Sequence, residues 1–157
     1  MKTALLLYAL LACLGLPAQA ASLVAEEHFS AQCALSSRTP ALRLIGDAAA
    51  WQALSAEGPV PAFSGELDWQ QQAVLVFTSG TKPSAGYTLD LTAERLQAHG
   101  RTLVLEIAEQ APPAGAMTAQ VITQPCLFLA LRKQAWTQVE IRSATTHARL
   151  GQVRQRP

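Results

Sequence analysis

Two stretches of the chain are apolar without a break: Ala73-Val74-Leu75-Val76-Phe77 and Cys126-Leu127-Phe128-Leu129-Ala130-Leu131. Runs this short, bounded by turn residues, predict strands buried on both faces. Elsewhere the period is two. Tyr87, Leu89 and Leu91 alternate with Thr88 and Asp90, and residues 102–107 and 136–142 follow the same rhythm, as half-buried antiparallel strands do. Weaker strand patterns cover residues 27–35, 41–45, 119–123 and 148–153. One window predicts a helix. Asp47 can cap it, residues 48–57 are mostly good helix formers, Trp51 and Leu54 share a face, and Gly58-Pro59 ends it. Turn signals fall at residues 36–40, at His99-Gly100-Arg101, at residues 80–86 and 111–115, and at Pro125. Short strands with tight connections predict a mainly β (α+β) domain: antiparallel, sandwich-like sheets with a single helix packed on them near residues 47–57.

The first residues break this pattern. Lys2 supplies a positive charge, residues 3–16 are almost wholly apolar, and Ala18-Gln19-Ala20 follows. That is the layout of a secretory signal peptide with cleavage after Ala20. The apolar run is short of the roughly 20 residues a membrane span needs. A lipobox-like reading of Leu10-Leu11-Ala12-Cys13 stays open beside it, with Cys13 as the acylated residue. Cleavage at residue 20 leaves 137 of the 157 residues, a single domain over residues 21–157 that is periplasmic or secreted and has no transmembrane segment.

Charge then removes several function classes. Loss of Lys2 leaves 11 basic against 11 acidic residues, so no nucleic-acid footprint and no polybasic membrane patch is expected. Arg149, Arg154 and Arg156 give a basic tail that solvation explains. The mature chain keeps Cys33 and Cys126. In an exported protein they invite a disulfide closing a loop of about 90 residues, though two unpaired buried thiols fit the sequence as well.

The loop Gly80-Thr81-Lys82-Pro83-Ser84-Ala85-Gly86-Tyr87 has no counterpart in a plain hairpin. With Asp68-Trp69 before it, Pro112-Pro113 and Gly115 after it, and Thr123, Pro125 and Lys133 around the second apolar run, it resembles the C-terminal domain of the PrcB family over residues 67–141. Ala85 stands where that family often has a second glycine, and Cys126 where an aromatic commonly follows the proline. The named member is described as a non-catalytic subunit of a secreted serine-type protease complex. The resemblance therefore implies a protein-binding module whose partner is another envelope or secreted protein, a protease among them. The partner-binding residues it implies are Gly80, Lys82, Pro83, Ser84, Gly86, Tyr87, Pro112 and Pro113, with Lys82 a solvated side chain at the loop tip.

Catalytic chemistry is not visible. His28, His99 and His147 are scattered, and none lies beside a nucleophile motif. No cluster has metal-ligand spacing, and Glu66, Asp68 and Asp90 read as surface carboxylates. Pro83 lacks an amide hydrogen and the loop leads into a strand, so a phosphate cradle is not expected. The expectation is no enzyme, no cofactor and no metal. Two alternatives remain: a protease inhibitor of the chagasin-like kind, whose Asn-Pro-Thr-Thr-Gly-Tyr loop is similar to residues 83–87, and a secreted structural protein.

Overall fold

β3 (Gln72–Thr78) and β6 (Cys126–Arg132), the two unbroken apolar runs, lie side by side at the centre of a four-stranded sheet. β2 (Ala41–Ile45) and β1 (Val24–Ser30) form its edges, and every neighbour is antiparallel. This computed structural model describes residues 21–97, 101–134 and 136–155. The expected signal segment 1–20 with Cys13, His99 and Gly100 of the expected turn, and Arg156 lie outside the described residues.

The central pair is buried on both faces, as the missing alternation requires. On one face Leu75 and Phe77 meet Leu127, Leu129 and Leu131 in the main core. On the other, Val74 and Val76 join Cys126 and Phe128 in a second core. α1 (Ala48–Glu57) covers that second face with fully buried Leu54 and half-buried Trp51. Asp47 caps it as expected, its Oδ1 accepting from the Ala50 amide at 2.8 Å.

The second sheet closes the main core with β4 (Thr88–Gln97), β5 (Thr102–Gln110), β7 (Gln138–Ser143) and β8 (Arg149–Arg154), in the order β4-β5-β7-β8. All of its pairs are antiparallel except β5 with β7. The exception follows from the path. The chain leaves β5, runs back through β6 in the other sheet, and re-enters at the end where β5 began. The expected half-burial of β5 is also exceeded, since Thr102, Leu103, Val104 and Leu105 are all buried. Val104 lies in register between Arg95 and Glu140 on the outer face, where long side chains can cover it.

The edges of the two sheets lie against each other, β1 beside β4 and β2 beside β8. At the first seam the Glu94 carboxylate accepts from the Leu23 and Val24 amides, each at 2.9 Å. Glu27 Oε1 accepts from the Leu91 amide at 2.9 Å. Side-chain carboxylates thus replace the strand partner these edge amides lack. At the second seam β8 comes close enough to β2 that a Cβ on Gly151 would push the end of the Leu42 side chain aside.

Two expectations are corrected. Residues 119–123 are not a strand; only Thr123 makes a bridge, to Lys82. Their neighbour is a loop interrupted by Pro83, which cannot donate to a ladder. The strand expected over residues 27–35 ends at Ser30, and Cys33 sits in the loop after it. That placement settles the cysteine pairing. Cys33 and Cys126 form a disulfide, with Cα atoms 5.0 Å apart and a separation of 93 positions in sequence. It fastens the 31–40 loop to the start of the central strand. Replacing both cysteines with alanine is expected to lower the unfolding free energy by about 2–5 kcal/mol. Urea melts of the oxidised wild type and the double variant measure the difference.

Candidate functional site

β1, β3, β5 and β7 all end on one side of the sandwich. Residues 31–40, 79–87, 111–125 and 144–148 therefore meet at a single end of the sandwich. Residues 79–87 and 111–125 are joined into one unit there. Lys82 and Thr123 exchange main-chain bonds of 2.8 and 3.1 Å, and the Ala85 amide donates to the Ala119 carbonyl at 3.0 Å. Thr123 Oγ1 donates to the Ser84 carbonyl at 2.8 Å. Behind them, the Gln124 amide donates to the Ala31 carbonyl and its side-chain nitrogen to the Leu35 carbonyl. The disulfide anchors the same layer at the next residue but one.

Glycine is needed at two points. Gly80 has φ 89°, and a Cβ there would lie 2.5 Å from the Arg38 carbonyl oxygen. Gly86 has φ 95°, and its Cβ would meet Pro112 Cβ at 3.0 Å and Thr118 Cγ2 at 3.3 Å. Both sit in a left-handed region that side chains resist. Gly80 is the stricter, because its neighbour is backbone that cannot rotate away.

The sequence-predicted residues divide by what they can present. Pro83, Gly86 and Pro113 are exposed, Tyr87 and Pro112 are half-buried, and Gly80 is buried. Ser84 is only 8 % exposed, so its side chain belongs to the interior of the loop. Lys82 corrects the expectation of a solvated tip. Its Nζ lies 2.7 Å from Glu109 Oε1 and 5.4 Å from the Tyr87 ring centroid, with 17 % of the side chain exposed. An ion pair and an aromatic face hold it down.

Reading the sequence missed what this end does expose. Met117, Val121 and Ile122 are 101 %, 53 % and 74 % exposed. A strand over residues 119–123 would have turned alternate side chains inward. The available signal was apolar residues enclosed between Pro112-Pro113 and Pro125 with no strand to pair them. Beside these loops the sandwich stays open. A cleft of about 240 Å³ has Phe77, Leu89, Ile107 and Leu150 in its walls, with Lys82 and Glu109 also lining it.

The titratable groups elsewhere do other work. Asp68 accepts from the Gln70 amide and the Gln71 side chain, each at 2.9 Å, and closes the turn before β3. Asp90 accepts from Gln110 Nε2 at 2.9 Å. His147 is mostly exposed, 3.9 Å from Glu106. Glu26 lies between His28 Nε2 at 2.5 Å and Ser64 Oγ at 2.6 Å. Serine and histidine here both face the carboxylate, so no base is aimed at the hydroxyl. Among the described residues no group of three or more His, Cys, Asp or Glu is placed to hold a metal ion.

The fold and this loop end define a two-sheet, mainly β domain with one helix. The family model described as PrcB C-terminal matches residues 73–132, which run from β3 through β6 and contain both joined loops. The resemblance read from the motifs stands over that stretch. No curated protein and no solved structure matches the chain.

Two outcomes follow from the geometry. Gly80→Ala is expected to destabilise by about 2–3 kcal/mol and Gly86→Ala by about 1–2 kcal/mol, the order being set by the rigidity of what each Cβ meets. Urea midpoints give that order directly. The Glu26 carboxyl is held below its ordinary value of 4.5, first by the Ser64 hydroxyl and then by His28. A lowered value favours the folded state above about pH 4.5, and that contribution fades as pH falls through the folded value. Wild type is therefore expected to exceed Glu26→Gln in melting temperature at pH 7, the gap closing towards pH 3.

Proposed function

We propose that this chain is an exported, non-catalytic accessory module that docks another envelope or secreted protein, a protease being the favoured class, through its loop end. The observation that carries this reading is the exposure of Met117, Val121 and Ile122 on a backbone locked to residues 82–85. Exposed apolar side chains on a fixed loop mark an interaction surface, and a fixed loop loses little entropy on docking. The PrcB C-terminal match over residues 73–132 supports association with a protease complex. The Cys33–Cys126 disulfide supports an oxidising compartment, in keeping with cleavage after Ala20. No helix among the described residues is long and apolar enough to cross a membrane.

Docking uses Pro83, Gly86 and Pro113 as exposed loop contacts, with Met117 and Ile122 as apolar anchors and half-buried Tyr87 at the end of the 79–87 loop. Lys82 and Ser84 act by holding the loop rather than by meeting the partner. The chagasin-like alternative gains no observation of its own, since residues 83–87 are tied down along one side rather than projecting.

A photo-crosslinking residue at 117 or 122, in the native host, is expected to give a discrete adduct. The same residue at Arg95, on the outer face of the second sheet, is expected to give none. Met117→Asp with Ile122→Asp is expected to keep the fold and lower capture of the adduct protein at least about tenfold. Equal adducts from 95 and 122, or undiminished capture, would sink the loop-end assignment. Tested on that protein's activity, the purified module is expected to stabilise and not inhibit it.

A further inference from the structure

The opposite face of the first sheet carries a second feature, independent of the loop end. Where α1 meets the 61–69 loop, a groove of about 340 Å³ is lined by Trp51, Phe63 and Trp69. Two of the protein's three tryptophans are half-open in this one groove, while Trp136 is 1 % exposed. The rings form a trough rather than a stack. Trp51 rests edge-on against Phe128 of the core, with centroids 6.4 Å apart at 86°. Phe63 leans on Trp51 at 5.7 Å and 53°, and Trp69 leans on it at 6.2 Å and 45°.

Each wall is braced from behind. The Phe63 ring stands at 88° to the His28 ring, 5.0 Å away, and Glu26 holds both His28 and Ser64 next to Phe63. The Trp69 carbonyl accepts from Lys133 Nζ at 2.5 Å, and Lys133 also donates to Gly46. The lysine charge is thus committed to backbone behind the groove. Among the described residues lining the groove, the one charged side chain is Glu66, and Gln52 adds an amide. Glu66 is exposed, and no hydrogen bond or ion pair ties it to another of the described residues.

Several aromatic faces with one carboxylate at the edge have a definite preference. The ring faces are electron-rich and attract a cation, the apolar walls accept its hydrocarbon stem, and the carboxylate pairs with its charge. An anion would meet Glu66 unfavourably, and an uncharged apolar group would gain nothing from it.

We infer that this groove is a second binding site, and that it takes a lysine or arginine side chain presented by a partner polypeptide. The stem lies along Trp51 between the Phe63 and Trp69 rings, and the charged head reaches Glu66. The site does not rest on the loop-end reading, and it can be tested without any partner.

The probes are N-acetyl-lysinamide, N-acetyl-argininamide, N-acetyl-norleucinamide and tetramethylammonium, added to the full mature protein at constant ionic strength. Trp51 and Trp69 report through fluorescence, while buried Trp136 contributes a constant background. The cationic amides are expected to give saturable shifts at least about fivefold tighter than norleucinamide, and Glu66→Gln is expected to remove most of that margin. Glu66 is exposed, so this variant keeps the fold; Trp69→Leu, followed by amide chemical shifts, should abolish binding in a protein that stays folded. Equal affinity for norleucinamide, an unchanged Glu66→Gln, or no saturation overturns the site. Binding of tetramethylammonium alone overturns the polypeptide side chain and leaves a choline-type ligand instead.

Discussion

The pairing of β3 with β6 is the constraint on which everything else hangs. Each strand is apolar on both sides, so neither can lie at a surface. Once Leu75 faces Leu129 and Val76 faces Phe128, two apolar faces must be covered, and a single sheet cannot do it. The second sheet covers one, and α1 with the 60–69 loop covers the other. The same pairing sets both ends of the molecule. Thr78 and Cys126 stand opposite each other where the strands stop, so the loops leaving them have to emerge together.

That explains why much of the fold was legible in the sequence. An apolar run of fixed length leaves few options, and the bounds of β2 and α1 followed from equally local signals: a short apolar segment, Asp47 as cap, and Gly58-Pro59 as stop. The parallel β5–β7 pair was not legible, because direction depends on the route through the other sheet rather than on any residue of either strand. The burial of Val104 escaped for a similar reason. Its cover comes from strands 9 residues upstream and 36 residues downstream in sequence, through Arg95 and Glu140.

The candidate site divides along the same line. Gly86 announced its position, since residues that must enter left-handed backbone are few in kind; Gly80, in the same region, did not. Lys82 and Ser84 did not announce theirs. Their fates were decided by Glu109 in β5, by Tyr87 at the end of the same loop, and by Thr123 in the 111–125 connection. Val121 and Ile122 were hidden by a pattern that looked like a strand but had no strand to pair with. Glu26, too, drew no attention until His28 and Ser64 were seen on either side of it.

The seam between β1 and β4 reaches further than the fold it closes. An open strand edge is an invitation, both to identical copies and to any extended peptide that passes. Here the Leu23, Val24 and Leu91 amides are already answered by Glu94 and Glu27, side chains of the same molecule. A visiting strand would have to displace carboxylates and leave them facing one another. Recognition by main-chain pairing is thereby closed along this flank. What the chain offers a visitor is instead a matter of individual side chains, and selectivity is read one residue at a time.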